Sequence, residues 1–265
     1  MRNLLVTPLE TIEADLASLQ TTTSRSPVFQ TRTEPDACVY WSELPLPVCN
    51  VIANARIPAA DVPQRAAELL APFLKRGRPF QWVTTPATTT PALEAALAQA
   101  GLRPQEAPAM HLKLTGPIDP RTPDDVFIDL AWPEQVQSVS RTLVTGLHYP
   151  AGLETAHLRF LETLDPAENQ CFIARSMKDG SPVGASTMHR RSASVMLANM
   201  ATLESARGRG VGRALTATML NRARETGSAT ASLVANEAGY PVAIDVGFRT
   251  MFNVVTWVWS PLETE

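Results

Sequence analysis

The sequence predicts an α/β protein with a mixed sheet, and three observations lead to that class. Hydrophobic residues make up 45% of the 265 residues and charged residues 18%, the composition of a folded chain with one large domain or two small ones. Sixteen of the 22 prolines precede residue 125, so we expect the first half to consist of short elements separated by turns. In the second half, apolar strands alternate with segments of helical periodicity, as in a sheet covered by helices.

The first half shows regular elements between its prolines. Apolar residues recur at a helical spacing from Leu5 to Leu19, and two later helical segments are each followed by a terminating glycine, Gly77 and Gly101. Short alternating segments indicate strands. The expected elements are a helix over 1–20, a strand over 45–56, a helix over 61–75, a strand over 80–84, a helix over 91–100 and a strand over 110–114.

The second half has the predicted order β-α-α-β-β-β-α-β-α-β. Its centre is a meander of three antiparallel strands, because Asp179-Gly180 favours a hairpin turn between the first two of them. The expected elements are a strand over 126–130, helices over 132–145 and 153–164, strands over 170–175, 182–190 and 194–202, a helix ended by Gly227, a strand over 232–236, a short helix and a strand over 250–260.

Residues 115–125 have the composition of a linker. This stretch holds three prolines and a glycine, and it offers almost nothing to bury. We therefore expect a domain boundary here, with one domain over 1–120 and a second over 121–265.

The charge balance and the cysteine count narrow the class of protein. A net charge of −3 leaves no basic excess for general nucleic-acid binding, and no apolar run is long enough for a membrane span. Acidic residues follow soon after the first residues, so we expect no signal peptide. Three cysteines without a pairing pattern favour the reducing cytoplasm. Four scattered histidines lack metal-ligand spacing, so we expect no metal.

One segment carries the chemistry of an anion site. Three of the 13 glycines fall within Gly208–Gly212, directly before a predicted helix. Such a loop turns free N–H groups and the positive end of the helix dipole toward one point, which suits a phosphate. Arg207, Arg209 and Arg213 add positive charge.

The spacing of the glycines excludes two common phosphate motifs. A Walker loop would need Lys and Ser or Thr after its last glycine, where Arg213 and Ala214 stand. A dinucleotide fingerprint starting at Gly208 would need glycine at position 213, and a parallel unit would not follow an antiparallel meander. The pattern that remains is R-x-x-G-x-G, formed by Arg207, Gly210 and Gly212.

On this motif and on the order of its elements, the segment 125–260 resembles the GNAT N-acyltransferase superfamily. The resemblance implies a GNAT fold and an acyl-coenzyme A co-substrate, with acetyl-CoA expected. It also implies that the strand before the loop parts from its neighbour and pairs with the pantetheine arm. The implied strand contacts are Met200, Ala201 and Thr202, and the implied pyrophosphate contacts are Gly208, Arg209, Gly210, Val211, Gly212 and Arg213. Arg207, the first residue of the motif, is a further cofactor-binding candidate.

Two further segments extend the resemblance. Asn236 ends a predicted strand and Gly247-Phe248 follows, which is the order of the family, so Asn236 is expected to bond the pantetheine arm. The pattern of the first half resembles the degenerate half-domain that precedes the catalytic domain in two-domain members. The first half has no R-x-x-G-x-G motif, so we expect no coenzyme there.

The candidate catalytic residues come from their positions near the loop motif and the ends of predicted strands. The family commonly places a tyrosine, as general acid, seven residues after the asparagine, and this chain has Ala243 there. Tyr240 is the nearby candidate acid, His189 and Glu204 are candidate bases, and each could equally be structural or solvated. His148 and Tyr149, between the first two helices of the second half, are candidates for the substrate pocket, with simple turn chemistry as the alternative.

We therefore expect an acyl-CoA-dependent N-acyltransferase that works by direct attack in a ternary complex. The acceptor would be a small-molecule amine or an amine of a peptide or protein, and the chain a monomer or a homodimer. Because the tyrosine is missing, a non-catalytic acyl-CoA-binding or regulatory module remains an alternative. An O-acyltransferase is another.

Overall fold

The computed structural model describes residues 6–131 and 134–261. The chain divides into two compact units. The first combines the residues up to Leu19 with Pro108–Met251, and the second combines Gln20–Ala107 with the residues from Phe252 onward. The segment up to Leu19 therefore belongs with the second half of the chain, and the segment from Phe252 belongs with the first half. A single boundary at residue 120 would instead keep each terminal segment with its own half. The assignment of catalytic and degenerate domains to 1–120 and 121–265 stays a prediction.

The described residues contain seven α-helices and eleven strands. The helices are α1 (Pro8–Ser24), α2 (Val62–Arg76), α3 (Pro91–Gln99), α4 (Val136–Gly146), α5 (Glu154–Glu162), α6 (Val211–Glu225) and α7 (Tyr240–Asp245). The strands are β1 (Gln30–Thr33), β2 (Cys38–Trp41), β3 (Val51–Ala53), β4 (Phe80–Thr84), β5 (Arg103–Lys113), β6 (Val126–Leu130), β7 (Asn169–Ser176), β8 (Pro182–Arg191), β9 (Ser194–Thr202), β10 (Thr230–Val234) and β11 (Arg249–Trp259).

Both units contain mixed sheet, which confirms the predicted class. In the first unit the strand order is β5-β10-β9-β8-β7-β6, and β10 runs parallel to β9 while the other neighbours are antiparallel. In the second unit the order is β1-β2-β3-β4-β11, with β3 and β4 parallel. The antiparallel run β7-β8-β9 is the predicted meander.

Helices cover both faces of the sheet in the first unit. Along β7, Phe172 packs in the cluster that contains Leu215 and Met219 of α6, and the next residue, Ile173, packs in the cluster that contains Val139 of α4. Successive side chains of a strand point to opposite faces, so this alternation places α6 and α4 on opposite sides. The result is a core of two layers that holds the start of α6 against the sheet.

Most element predictions are confirmed, and the exceptions have local causes. The strands β4, β6 and β9 have the predicted bounds. The strand predicted over 45–56 is a single turn of 3-10 helix, Pro47–Cys49, followed by β3, because the Asn50 side chain donates to the carbonyl oxygens of Leu44 and Leu46 and bends the chain. The strands β1 and β2 were not predicted. The predicted helix start at residue 132 lies outside the described residues.

The segment 115–125 lies inside the first unit. Its Ile118 N–H donates to Asn221 Oδ1 at 2.8 Å, and Asn221 Nδ2 donates back to the Ile118 carbonyl oxygen at 2.7 Å. Ile118 also packs against the α6 side of the core. The proline-rich segment is therefore attached along α6 and does not form a free connection between the two units.

Candidate functional site

The glycine-rich loop adopts the conformation that its glycines allow. Gly208 and Gly210 have φ values of +73° and +85°, in the left-handed region that other residues rarely occupy. Gly210 is the N-cap residue of α6. A Cβ built on either glycine would meet no heavy atom within 4 Å, so the loop faces open space.

The backbone N–H groups of this loop have no hydrogen-bond partner in the part of the chain that the structure describes. Within residues 6–131 and 134–261, no group accepts a hydrogen bond from the N–H of residues 208 to 213, and the first amide of this region with a partner is that of Ala214, bonded to Gly210 O at 3.0 Å. Among the described residues no side chain caps the helix. Free amides together with the helix dipole are the arrangement that suits an anion at the start of α6.

The strands next to the loop part from each other. Strand β9 pairs with β10 over only three residue pairs, which end at Met196 and Ser232. Beyond that point β10 continues beside β5, while β9 continues beside β8 to Thr202. An extra residue in β9 shifts its register against β8, and Asn199 there has a φ of +48°. The edge of β9 from residue 197 to 202 is thus open toward β10, as the resemblance implied.

The three arginines of the loop have partners in the protein. Arg209 forms an ion pair with Asp125, and Arg213 with Asp245, while Arg213 Nη1 also donates to the Asp119 carbonyl oxygen at 2.6 Å. Arg207 contacts other groups, described below. The charges of Arg209 and Arg213 are therefore compensated by carboxylates, whereas the contacts of Arg207 are with two carbonyl oxygens and a histidine nitrogen. The predicted phosphate contacts of these three side chains stay predictions.

Residues 134–248 match the family model described as the acetyltransferase (GNAT) family. This segment is a GNAT acetyltransferase domain. Its range includes the meander, the glycine-rich loop, α6 and α7, so the match covers the elements on which the sequence resemblance depended.

The likeness of fold extends beyond the GNAT domain. A GCN5-related N-acetyltransferase from Kribbella flavida covers 93% of this chain and 94% of its own length, with a TM-score of 0.70 and 17% identity. A second one, from Sphaerobacter thermophilus, covers 96% and 90%, with a TM-score of 0.66 and 12% identity. A tandem GNAT protein from the clavulanic acid biosynthesis pathway covers 96% and 94%, with a TM-score of 0.61 and 15% identity. None of the curated proteins matches the chain.

At these identities the likeness is one of fold alone. Because they cover at least nine tenths of this chain, the shared fold includes the first half as well as the GNAT domain. The resemblance of the first half to a GNAT-like half-domain predicted this extent.

The end of β10 and the start of α7 border the open edge. Asn236 Oδ1 accepts a hydrogen bond from the Gly239 N–H at 2.8 Å, and its carbonyl oxygen accepts from the Tyr240 N–H at 2.9 Å. Asn236 thus shapes the turn into α7, and its predicted contact with pantetheine stays a prediction. Tyr240 is the first residue of α7 and is 39% exposed, whereas Ala243 is buried in the core. The position of the family tyrosine is therefore filled by a small core residue.

The structure does not bring His189 to the glycine-rich loop. In the β8–β9 register, His189 lies opposite Met196, whereas Gly184 lies opposite Thr202 beside the loop. The ring is buried, and its nitrogens contact Asn169 Oδ1 and Ser18 Oγ, both at 2.9 Å. Burial lowers its pKa. We interpret His189 as a structural residue of the opposite end of the sheet.

The structure does bring Glu204 and His148 next to Arg207. Glu204 lies in a 3-10 turn between β9 and the loop, where its carbonyl oxygen accepts from the Arg207 N–H at 3.2 Å and its side chain is exposed. His148 Nε2 lies 3.1 Å from Arg207 Nη2. Tyr149 follows as a half-buried residue. Of the two candidate bases, Glu204 is the one that lies at the loop.

A buried carboxylate in α1 was missed by the sequence analysis. Asp15 is buried and accepts hydrogen bonds from Arg191 Nε at 2.8 Å, Ser194 Oγ at 2.6 Å and Ser232 Oγ at 2.8 Å. It joins α1 to β8, β9 and β10 at the place where β9 and β10 are still paired. The available signal was its position on the apolar face of the helix, three residues after Ile12.

Two kinds of feature are absent from the described residues. Among residues 6–131 and 134–261, no group of three or more His, Cys, Asp or Glu residues is arranged to hold a metal ion. In the same part of the chain, no helix has the length and apolar character needed to cross a membrane.

We expect the protein to lose stability in mild acid because of three histidines, of which His111 and His189 are buried and His157 is half-buried. Burial lowers the pKa of His157 to about 4, and it lowers the pKa of His111 and His189 as well. A histidine in the unfolded chain has a pKa near 6.5. Above that pH the histidine is neutral in both states, and below it the unfolded chain binds a proton more readily than the folded chain does. The free energy of unfolding therefore decreases as the pH falls from 6.5 toward the pKa of the folded state. Urea unfolding at pH 5.5 and 7.5 should show a loss of about 1.4 kcal/mol from His157 alone.

A variant isolates the part due to His157. In His157→Gln, the loss of stability between pH 7.5 and 5.5 should shrink by that amount, because glutamine does not titrate. An unchanged pH dependence in the variant would show that His157 is protonated with equal ease in the folded and unfolded chain.

Proposed function

We propose that the protein is an acetyl-CoA-dependent N-acetyltransferase. The observation that carries the proposal is the row of unpartnered amides from residue 208 to 213, placed at the N-terminus of α6 and beside the open edge of β9. A diphosphate bound at these amides would leave an attached pantetheine arm free to follow the edge from residue 197 to 202. The GNAT family match supports acetyl-CoA as the co-substrate.

The residues present fit the coenzyme. The left-handed glycines leave the space in front of the amides unfilled, and Gly212 adds only the Thr202 hydroxyl as a neighbour, 3.5 Å from a built Cβ. Acetyl-CoA supplies an activated acyl carbon. A backbone N–H at the open edge of β9 would donate to the thioester oxygen, whose negative charge grows as the amine attacks.

Two proton transfers complete the reaction. The acceptor amine must be neutral to attack, although a free alkylamine has a pKa of about 10.4 and is protonated at neutral pH. We assign Glu204, which is exposed at the loop, to remove this proton directly or through water. The sulfur that leaves has a thiol pKa of about 8.5, so it requires only a weak acid, and Tyr240 at the start of α7 is our candidate. The N–C bond forms as the C–S bond breaks, without a covalent enzyme intermediate.

A second function is favoured by one observation. Ala243 occupies the usual place of the acid and is buried, so the protein lacks a hydroxyl there. A non-catalytic acyl-CoA-binding module would have the same loop and would not need that group.

The proposal is tested by measuring binding and turnover on the same preparation. Calorimetry with coenzyme A should show one site per chain, and release of free thiol from acetyl-CoA should rise with at least one amine of a panel of small amines, amino acids and peptides. The product should be an amide that withstands mild base. Binding without release on any amine would favour the binding module, a base-labile product would indicate an O-acyltransferase, and absence of binding would reject both the site and the function.

A further inference from the structure

One of the four histidines has no hydrogen-bond partner although it is buried. His111 of β5 is 7% exposed, and among residues 6–131 and 134–261 no group forms a hydrogen bond with its ring. His148, His157 and His189 each have a ring nitrogen within hydrogen-bond distance of a protein group. The unpartnered side-chain atoms that are sealed from solvent in this part of the chain belong to other residues, so solvent reaches the His111 nitrogens. Since buried polar groups are nearly always bonded, this ring has room for a partner from outside the protein.

His111 lies in the row of residues where β9 and β10 part. Met196 and Ser232 form the last residue pair between these two strands, and His111 lies opposite Ser232 on the other side of β10. The proposed diphosphate site is at residues 208 to 213, beyond the far end of β9. A pantetheine arm that follows the edge of β9 from residue 202 to 197 would therefore bring its acyl end toward the row of His111.

The side chain of His111 points away from α6. Leu112, the next residue of β5, packs against the core that contains Leu215 of α6, and successive side chains of a strand point to opposite faces. Ser232 shares the face of His111, where its hydroxyl donates to Asp15 of α1 at 2.8 Å. Packed apolar side chains fill the α6 side of the sheet. An amine would thus reach the acyl carbon from the face on which His111 lies.

The surroundings of His111 keep its ring neutral at pH 7. Burial lowers its pKa, the carboxylate of Asp15 acts in the opposite direction, and Lys113 of the same strand lowers the pKa further. Asp15 is paired with Arg191 of β8, and the neighbouring strand β10 has no titratable side chain. A neutral imidazole has one nitrogen with a free lone pair, so it can accept a proton.

We propose that His111 is the catalytic base of the acyl transfer. This inference rests on the proposed function. His111 precedes the segment that matches the GNAT family, yet β5 from residue 108 onward belongs to the same compact unit as that segment. The first half of the chain thus supplies a reacting group to the GNAT domain.

The proton balance of this step is simple. As the N–C bond forms, the amine nitrogen becomes acidic, and its proton passes to the unprotonated ring nitrogen of His111. The C–S bond breaks, the thiolate takes a proton from Tyr240 or from water, and the imidazolium of His111 returns its proton to solvent. Glu204 lies beside the loop at the other end of the edge, so it would receive a proton only through water.

The test separates the chemical step from coenzyme binding. In His111→Gln, kcat with the fastest amine of the panel should fall about a hundredfold or more, because a positioned base contributes about that much. The affinity for coenzyme A should stay within about twofold. In His111→Ala, added imidazole should raise kcat about tenfold, and the restored rate should increase with pH as imidazole loses its proton. A purely structural role of His111 would not give this rescue.

A buried histidine that has protein partners provides the matched control. His189→Gln makes the same chemical change at a ring bonded to Asn169 and Ser18, and it should keep kcat within about threefold. Glu204→Gln should lower kcat less than His111→Gln does, because the proposed direct acceptor of the proton is still present.

Two results in an active wild-type enzyme would overturn the inference alone. One is a kcat of His111→Gln within about threefold of the wild type. The other is a loss of kcat in His111→Ala that imidazole does not restore, which would make His111 a structural residue. A wild-type protein that binds no coenzyme A, or binds it without turnover of any amine, would instead reject the proposed function, and the assignment of a base would fail with it.

Discussion

Gly210→Val will weaken the binding of coenzyme A about a hundredfold or more while the chain remains folded. The N–H groups from residue 208 to 213 are free because Gly208 and Gly210 hold the loop in the left-handed region. Valine at a φ of +85° cannot keep that conformation, and its side chain would enter the open space in front of the amides. Two lost hydrogen bonds to a charged group account for about a hundredfold. Calorimetric titration with coenzyme A measures the effect.

The matched control lies at the other end of the same helix. Gly227 has a φ of +91° and, like Gly210, no heavy atom within 4 Å of a built Cβ. Gly227→Val should therefore cost a similar amount of stability, about 2 kcal/mol, without changing the affinity for coenzyme A. If the two variants lose affinity equally, the loss comes from general destabilisation and the anion site at residues 208 to 213 is wrong.

Asp15→Ala will lower the free energy of unfolding of the first unit by about 3 kcal/mol or more. The change leaves the buried hydroxyls of Ser194 and Ser232 without their acceptor and Arg191 without its counter-charge. Asp15→Asn retains one acceptor oxygen, so we expect a smaller loss. Urea unfolding of the full chain, followed by the midpoint and the slope, measures both.

An exposed carboxylate of the same unit serves as the comparison. Glu225 is exposed at the end of α6, so Glu225→Gln makes the same chemical change as Asp15→Asn at the surface and should alter stability by less than about 0.5 kcal/mol. Equal effects of Asp15→Asn and Glu225→Gln would show that the buried network contributes little to the attachment of α1.

The loop and its helix could be predicted from the sequence because their determinants are local. Three glycines within five residues indicate a loop whose backbone comes close to another group. The apolar spacing from Val211 to Met219 predicts the helix that follows. The same local logic predicted β4, β6 and β9 with their exact bounds. It failed at β1 and β2, whose four-residue segments lack a pattern long enough to separate a strand from a loop.

The catalytic candidates show where local patterns are insufficient. His189 and Glu204 have the same kind of position in the sequence, near the ends of adjacent strand and turn segments. In the structure His189 is buried with two partners at one end of β8, whereas Glu204 is exposed beside the loop. Which end of a strand lies at the cleft depends on the order and direction of strands in the sheet, and a single strand's sequence does not contain that information.

By itself the sequence determined the α/β class, the glycine-rich loop before α6 and the absence of a tyrosine at Ala243, because each follows from residue type and short spacing. Only the tertiary structure decided that each terminal segment joins the opposite half of the chain, that Asp15 accepts hydrogen bonds from Ser194 and Ser232, and that Arg207 contacts His148. These contacts join residues 59 to 217 positions apart in the chain. These partners come together only when the strands assemble, and buried polar groups then need hydrogen-bond partners. A local sequence pattern therefore does not predict them.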